Sequence, residues 1–406
     1  MTRERTPQRW SRAATLALAT AAALALAGCG GGSTEVQVSA SGSAQWSWQL
    51  PAGFPEPKVP ADNAMSADKV QLGRFLFYDR RLSGNGTQSC SSCHLQSKAF
   101  TDGLAVAVGS TGEFHPRNAQ SLVNVAYSPT LTWANPALTA LEAQMLVPLF
   151  GTQPVEMGIN DSNKAQVLGR LSGDAAYPSL FSAAFPGEAA PVNWTNVIKA
   201  ISAFQRSLVS GDSQYDRYLQ GKATLDAAET RGMNLFFGEK AECFHCHGSF
   251  NFNNQTLHTA SRLVETPFHN TGLYNIDGNG GFPVPNRGVF ELSGKPSDMG
   301  KFRAPSLRNV AVTAPYMHDG SVADLVEVLA FYAAGGRVIA SGPHAGDGRA
   351  NPHKDGLIQN ISLTEQDQAD IIAFLRTLTD EDLLTNPRFS DPFAASAKAA
   401  PRGAGQ

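Results

Sequence analysis

The sequence has little net charge, few long apolar runs and little strand-like patterning. Its formal net charge is −3 over 406 residues and no basic run follows residue 12, so nothing indicates nucleic-acid binding. Apolar and polar residues seldom alternate over several positions, which argues against a fold built mainly from strands. Hydrophobic content of 42% and charged content of 17% are ordinary for a soluble globular protein. The length predicts two domains with additional segments.

The first 28 residues differ in character from the rest of the chain. Four arginines precede an apolar run over 13–27, which is too short to span a membrane comfortably and is typical of a signal peptide. The run ends in Leu-Ala-Gly-Cys29, which resembles the bacterial lipobox; a simple secretory signal with an incidental cysteine is the alternative. We predict a lipoprotein signal peptide over 1–28, lipidation of Cys29 and a flexible tether over 29–45. The protein would be periplasmic, held at a membrane by this anchor alone.

Two halves of the chain carry the same motifs in the same order. Each half has a Gly-x-x-Leu-Phe segment in a helical pattern, then Cys-x-x-Cys-His, then Ser-Leu-x-Asn-Val-Ala. The copies lie at 73–77, 90–94 and 121–126, and at 232–236, 243–247 and 306–311. Duplication of one domain is the economical interpretation. It predicts an N-terminal domain over 46–215, a C-terminal domain over 216–390 and a disordered tail over 391–406.

Helical periodicity recurs outside the repeated motifs. Further helices are predicted over 194–209, over 321–334 with Ser321 as the N-cap, and over 364–379 with Thr364 as the N-cap. The stretch 266–300 is rich in glycine, proline and asparagine and is predicted to be loop. Small helical domains with this much irregular structure have thin cores, which a large prosthetic group usually fills.

The two Cys-x-x-Cys-His motifs match the attachment pattern of c-type haem. Two thiols about one helical turn apart can add to the two vinyl groups of one porphyrin edge, and the following histidine then binds the iron. Zinc would need its ligands close together and shared between the pairs, and disulfides would not require a histidine after both pairs. His245, a spacer residue, is expected to point away from the iron. We predict two covalent haems, attached through Cys90, Cys93, Cys243 and Cys246, with iron ligands His94 and His247.

Across residues 50–385 these motifs resemble the bacterial di-haem cytochrome c peroxidases and their relative MauG, and most closely the MbnH-type di-haem enzymes. The stretches that carry the resemblance are LGRFLFYDRRLSGNGTQSCSSCH, AFTDG, RNAQSLVNVAYSPTLTWANP, PLFGTQPVEMG, CFHCH, FHNTGL and FRAPSLRNVAVTAPYMHDGS. The resemblance implies an all-α fold of two cytochrome c-like helical domains. Each domain would surround one covalently bound c-type haem, and long irregular loops would join the helices.

The resemblance also implies that the haem held by His94 reacts with hydrogen peroxide. Gln144, Pro148 and Glu156 match the distal pocket of the family, although two more residues separate Pro148 from Glu156 than in its relatives. A carboxylate suits this role, because it can take a proton from peroxide and return it to the departing oxygen while Gln144 hydrogen-bonds the oxygens. PVEMG by itself would also fit a surface loop.

Other positions acquire roles only through the resemblance. Trp133 falls where the family has a tryptophan between the two haems, whereas alone it would be interpreted as core packing. Asn118, Thr313 and Pro315 match the positions that bind one calcium ion through oxygen atoms, the donor type that Ca²⁺ prefers. No acidic loop in the sequence indicates this site independently.

The sequence departs from the peroxidases of the family at two places. No histidine occupies the position of their dissociable distal ligand; His115 lies elsewhere and is interpreted as a loop residue, so the pocket would be open. Their methionine ligand, fourteen residues after the histidine of His-Asp-Gly, is replaced by Tyr332, as in MauG. A phenolate stabilises ferric and more oxidised iron, unlike a thioether. Met317 and Met299 remain alternative ligands.

The resemblance implies an enzyme that uses hydrogen peroxide to form a bis-ferryl state and oxidises a tryptophan of a partner protein to kynurenine. The partner would be a periplasmic, MbnP-like copper-binding protein. The alternative is a cytochrome c peroxidase that reduces peroxide with electrons from a small cytochrome or cupredoxin. A non-catalytic electron-transfer protein is disfavoured by Gln144 and Glu156, and by the lack of a second methionine or histidine ligand.

Overall fold

The computed structural model describes residues 46–359 and 361–394. The predicted signal peptide, the lipidated Cys29, the tether and most of the predicted tail lie outside these residues. Of the tail, Phe393 is described, and its ring packs 5.4 Å from that of Phe75. Within the described ranges, no helix has both the length and the apolar character needed to cross a bilayer.

The described chain is mainly helical, with one two-stranded sheet in which β1 (Val338–Ile339) pairs antiparallel with β2 (Gly346–Asp347). This agrees with the predicted helical class. The α-helices are α1 Ala67–Tyr78, α2 Leu141–Gln144, α3 Leu146–Phe150, α4 Lys164–Ser172, α5 Tyr177–Ala184, α6 Trp194–Ser207, α7 Gln214–Leu219, α8 Ala227–Phe236, α9 Phe244–His247, α10 Phe290–Ser293, α11 Leu325–Ala333, α12 Glu365–Arg376 and α13 Glu381–Thr385. Short 3-10 helices lie at Ala61–Asn63, Arg80–Leu82, Cys90–Ser92, Gln96–Lys98, Val125–Tyr127, Pro296–Asp298, Val310–Val312 and Gly348–Ala350.

The three predicted helices form, with shorter bounds. Thr364 caps α12 as expected and shares a capping box with Asp367. Ser321 does not cap α11, so that prediction was wrong. Asp324 does so, accepting a hydrogen bond from the backbone N–H of Glu327 at 2.9 Å. The helix begins later than predicted because Val322 pairs with Tyr316 in an isolated β-bridge.

The repeated Gly-x-x-Leu-Phe segments meet their partner helices in the same way. In α1, a Cβ at Gly73 would lie 1.9 Å from the carbonyl oxygen of Ala200 in α6. In α8, a Cβ at Gly232 would lie 1.8 Å from the carbonyl oxygen of Asp370 in α12. Each glycine therefore allows two helix backbones to touch, and the structure repeats this contact as the sequence repeats the motif.

Gly232→Ala is expected to lower the free energy of unfolding by about 1–3 kcal/mol, because the added methyl group forces α8 away from α12. Gly169→Ala is the matched control: Gly169 lies in α4, and its Cβ would have nothing within 4 Å. The control should raise stability by roughly 0.5–1 kcal/mol, since alanine restricts the unfolded chain more than glycine does. Urea denaturation of both variants measures the difference, and equal effects would contradict the proposed contact.

Two large apolar cores follow the two halves of the sequence. The first contains residues between Leu72 and Leu208, and the second residues between Tyr215 and Leu378. A third cluster includes Phe302 and Phe331. The segment after α12 returns to the first core, where Leu383 and Phe389 are buried. There the side chain of Gln96 donates to the carbonyl oxygens of Leu383 at 2.8 Å and Asn386 at 2.9 Å.

Candidate functional site

Both motif histidines are held in the same way. Nδ1 of His94 donates to the carbonyl oxygen of Phe100 at 2.7 Å, and Nδ1 of His247 donates to that of Phe252 at 2.9 Å. The two phenylalanines have positive φ angles of 61° and 52°, which turn their carbonyl groups toward the rings. Because a carbonyl oxygen can only accept, Nδ1 carries the proton and Nε2 keeps its lone pair for a metal.

None of the four motif cysteines forms a disulfide. The thiols are held in apolar surroundings: burial raises the pKa of Cys90 and Cys243 to about 12, and that of Cys93 and Cys246 to about 11. Such thiols stay protonated near neutral pH while no metal ion is bound. Their spacing and their neutral state suit thioether attachment of a porphyrin.

Each motif opens into its own cavity. The first cavity, of about 360 Å³, contains His94 and the pair Cys90 and Cys93 in its lining. The second cavity, of about 250 Å³, is lined in the corresponding way by His247, Cys243 and Cys246. His245 is exposed and does not contribute to the second lining, which is consistent with its predicted role as a spacer.

The predicted peroxide-handling residues share the first cavity. Gln144 ends α2, Pro148 lies in α3, and Glu156 follows on the next loop. The longer spacing between Pro148 and Glu156 is absorbed because the loop returns to α3, where the N–H of Met157 donates to the carbonyl oxygen of Pro148 at 2.9 Å. Burial raises the pKa of Glu156 to about 7. A carboxyl group with that pKa can both take and return a proton at neutral pH.

His115 also lines the first cavity, although no functional role was predicted for it. Its Nε2 lies 3.6 Å from Oε1 of Glu156, and burial lowers the pKa of the imidazole. It does lie in a loop, as interpreted from sequence. The one sequence feature that could have indicated a role for His115 is its position just before Arg117 and Asn118, in the segment between the two haem motifs.

Trp133 and Arg303 line both cavities. The backbone N–H of Arg303 donates to the carbonyl oxygen of Trp133 at 2.8 Å, and the indole N–H donates to the carbonyl oxygen of Asn118 at 2.9 Å. These bonds fix Trp133 at the junction. The ring of Trp133 packs against the third apolar cluster, and Tyr332 packs against the same cluster.

Arg303 is a buried cation at this junction, and no carboxylate of the described chain forms an ion pair with it. One Nη donates to the carbonyl oxygen of Thr130 at 2.8 Å and the other to Oε1 of Gln120 at 3.3 Å, but Nε has no hydrogen-bond partner among residues 46–359 and 361–394. Burial lowers the pKa of Arg303 to about 10. A buried cation of this kind needs an anion. Haem carries two propionate carboxylates, so this buried guanidinium, with its free Nε, fits a haem in either cavity.

Tyr332 lines the second cavity with His247, and burial raises the pKa of its phenol above the ordinary range. His318 lines it as well: its ring stacks 3.7 Å from that of Phe302, and its Nε2 has no partner in the described part of the chain. Met317 reaches the same cavity, whereas Met299 does not contribute to the lining. Tyr332 and Met317 therefore stay candidates for the second ligand in the cavity that His247 lines.

The three residues predicted to bind calcium also reach the second cavity: Asn118, Thr313 and Pro315. The side-chain amide of Asn118 donates to the carbonyl oxygen of Leu104 at 2.8 Å, which leaves its Oδ1 available to a cation. Its backbone N–H donates to the carbonyl oxygen of His318 at 2.9 Å. Of these three residues, Asn118 is hydrogen-bonded to Trp133, and the calcium site stays a prediction.

Comparison with known proteins gives consistent matches over most of the chain. The sequence profile of the di-haem cytochrome c peroxidase family matches residues 67–224. Cytochrome-c peroxidase IdrP1 of Denitromonas iodatirespirans is 38% identical over 354 residues, covering 83% of this chain and 87% of its own. Methylamine utilization protein MauG of Methylorubrum extorquens is 33% identical over 337 residues, covering 82% and 84%.

Solved structures give the same result. A MauG-like protein associated with microbial copper homeostasis has 61% sequence identity and a TM-score of 0.85, covering 86% of this chain and 99% of its own. The di-haem peroxidase BthA of Burkholderia thailandensis is 24% identical with a TM-score of 0.61, over 84% of this chain and 95% of its own. At that identity the second match supports the fold alone.

Proposed function

Because this chain belongs to the family of di-haem cytochrome c peroxidases that includes MauG, we propose that it uses hydrogen peroxide to oxidise a tryptophan of a partner protein to kynurenine. Family membership makes it a haem-dependent oxidoreductase with two haems that acts with peroxide. The observation that carries the finer proposal is Tyr332, whose phenol lies in the same cavity as His247.

The proposal assigns each haem to one cavity. Cys90 and Cys93 would hold the first, with His94 on its iron, and the second motif would hold the other in the same way. Each haem would sit in one of two cytochrome c-like domains, over 46–215 and 216–390. Once bound, the haems supply the redox chemistry. The protein positions peroxide, transfers protons and provides the path for electrons.

In the first cavity, Glu156 and Gln144 handle peroxide. Glu156 takes the proton from one peroxide oxygen and returns it to the other, which leaves as water when the O–O bond breaks. Gln144 orients the oxygens. The raised pKa of Glu156, about 7, supports both halves of this transfer near neutral pH.

Between the cavities, Trp133 would relay electrons or holes from one haem to the other. It lines both cavities and packs on the same apolar cluster as Tyr332. Tyr332 would bind the second iron as a phenolate, a hard anionic donor that favours ferric and more oxidised states over reduced ones. The second haem could then store an oxidising equivalent and pass it to a tryptophan of a partner bound at the protein surface. The enzyme would therefore need a docking surface for the partner and no deep substrate pocket.

The overall reaction balances with peroxide as the only oxidant. Two molecules of hydrogen peroxide oxidise one tryptophan side chain to N-formylkynurenine, which gains both added oxygen atoms, and two waters leave. Water then hydrolyses the formyl group and gives kynurenine and formate. Each peroxide supplies two oxidising equivalents, and the four together open the indole ring.

The partner is proposed to be a periplasmic, MbnP-like copper-binding protein. Support comes from the structural neighbour, which is itself described as associated with microbial copper homeostasis. Export and anchoring through Cys29 would place the enzyme in the periplasm with that partner. One calcium ion, held by Asn118, Thr313 and Pro315, would fix the segment that carries Trp133.

A cytochrome c peroxidase that takes electrons from a small cytochrome or cupredoxin is the second candidate, favoured by the relatives that carry that name. Addition of peroxide to the diferric protein separates the two. We expect a long-lived oxidised species with a near-infrared band, and slow oxidation of reduced cytochrome c. Rapid turnover of reduced cytochrome c without that species would favour the second candidate.

A further inference from the structure

His115 lies beside Glu156 in the first cavity, and the proposed reaction assigns no role to this histidine. Nε2 of His115 is 3.6 Å from Oε1 of Glu156. Both side chains line the cavity together with His94 and Gln144. The imidazole therefore faces the one carboxyl group to which proton transfer is assigned.

Backbone hydrogen bonds build this pair from two separate loops. The N–H of His115 donates to the carbonyl oxygen of Ala107 at 2.8 Å, which closes one loop. The N–H of Ser110 in that loop donates to the carbonyl oxygen of Glu156 at 2.7 Å. The carboxylate of Glu113 accepts from the N–H of Val155 at 3.0 Å. These hydrogen bonds hold the two loops together, so the backbone itself keeps His115 close to Glu156.

The other ring nitrogen of His115, Nδ1, has both a hydrogen-bond donor and an acceptor within reach, so either tautomer of the imidazole is possible. Its Nδ1 lies 3.1 Å from both the backbone N–H and the carbonyl oxygen of Arg117. When Nδ1 accepts from that N–H, the proton lies on Nε2 and can be donated to the Glu156 carboxylate. When Nδ1 donates to that carbonyl, Nε2 is free to accept from a protonated Glu156. With the proton on Nε2, the imidazole can donate to Oε1 of Glu156 whether or not Oε2 carries a proton. At 3.6 Å the two atoms lie just beyond hydrogen-bond distance, and a small rotation of either side chain brings them within it.

Several charged groups lie around the pair. Arg117 and Glu113 lie on the segment of His115, and Glu291 reaches the cavity from α10. His94 lies across the cavity, and Asp102 acts on the imidazole from the loop that follows the first motif. Nε of Arg117 donates to Oδ1 of Asn286 at 3.1 Å, and the positive charge of this guanidinium helps to lower the pKa of His115. Glu156 is thus the acidic group nearest to Nε2.

We propose that His115 is a positioning residue for Glu156, which orients the carboxyl group toward peroxide and keeps it hydrogen-bonded in both protonation states. This rests on the proposed reaction with peroxide. When Oε2 of Glu156 takes the proton from one peroxide oxygen, the N–H at Nε2 still donates toward Oε1, so the imidazole itself gains and loses no proton. When that proton passes to the second oxygen, which leaves as water with the electron pair of the O–O bond, the N–H at Nε2 again faces a carboxylate.

His115→Phe and His115→Gln in the di-haem protein test this inference. Infrared spectroscopy over a pH series follows the carbonyl stretch of protonated Glu156, assigned by its loss in Glu156→Gln. We expect His115→Phe to raise the pKa of Glu156, because the carboxylate loses a donor, and His115→Gln to restore it in part. Phe114→Ala, a neighbouring exposed position, should leave the band unchanged.

The rate of the first reaction with peroxide gives a second readout. His115→Phe should lower this rate at neutral pH by roughly ten- to a hundredfold, the usual worth of a hydrogen bond to a charged group. An unchanged Glu156 band in His115→Phe would overturn the inference. Conversion of the resting first haem from low spin to high spin in that variant would also overturn it, since His115 would then be an iron ligand. Failure of the wild-type protein to form a long-lived oxidised species would instead count against the proposed function.

Discussion

Tyr332→Met is expected to abolish the long-lived oxidised species while both haems remain attached. The phenol is the hard oxygen donor of the second cavity, and methionine would replace it with a soft thioether that favours reduced iron. The second haem would then accept electrons readily and store oxidising equivalents poorly. Oxidation of the partner tryptophan should fall below detection, and oxidation of reduced cytochrome c should become faster.

Two further variants separate ligation from packing. Tyr332→Phe keeps the ring and removes only the hydroxyl, so it should also lose the long-lived species. Met317→Leu removes the other candidate in the second cavity and should leave the species intact. Stopped-flow spectra give its lifetime, and a haem assay on each variant should still find two haems per chain. Loss of the species in Met317→Leu but not in Tyr332→Phe would assign the ligand to Met317.

Glu156→Gln is expected to slow the first reaction with peroxide by about 10²–10⁴-fold, the usual contribution of a general base. A base acts when it is deprotonated. With the pKa of Glu156 at about 7, the wild-type rate should rise as the pH passes upward through that value. The amide cannot titrate, so the variant should lose this pH dependence along with the rate.

Glu291→Gln is the matched control for charge in the same cavity. Glu291 lines the first cavity, and its carboxylate accepts from Nε of Arg287 at 3.0 Å. If the reaction needs only negative charge near the cavity, both variants should slow it equally. If it needs a proton acceptor at Glu156, Glu291→Gln should retain nearly the full rate and the same pH profile.

Local sequence signals predicted the parts of the site that depend on short spacing. Both Gly-x-x-Leu-Phe segments lie in helices and Thr364 caps α12, as predicted, whereas haem attachment at the Cys-x-x-Cys-His motifs stays a prediction. The distance from His318 to Tyr332 likewise spans one loop and one helix. The two extra residues between Pro148 and Glu156 do not remove Glu156 from the first cavity. The backbone hydrogen bond from Met157 to Pro148 brings the loop back to α3.

The parts that were missed depend on contacts between distant segments. His115 looks like any loop histidine until the loop that carries Glu156 lies beside it. Arg303 looks like an ordinary charged residue until burial leaves its guanidinium without a carboxylate. The return of Leu383 and Phe389 to the first core joins residues some three hundred positions apart, which no periodic pattern encodes. Ser321 failed as a cap because the bridge formed by Val322 competes with the helix.

Mass spectrometry of the partner protein tests the central claim most directly. A copper-binding candidate partner is incubated with the di-haem enzyme and hydrogen peroxide, with peroxide alone and the Tyr332→Phe enzyme as controls. The account predicts that one tryptophan of the partner gains two oxygen atoms and then loses its formyl group, with the wild-type enzyme only. An unmodified partner after complete consumption of the peroxide by the wild-type enzyme would contradict it.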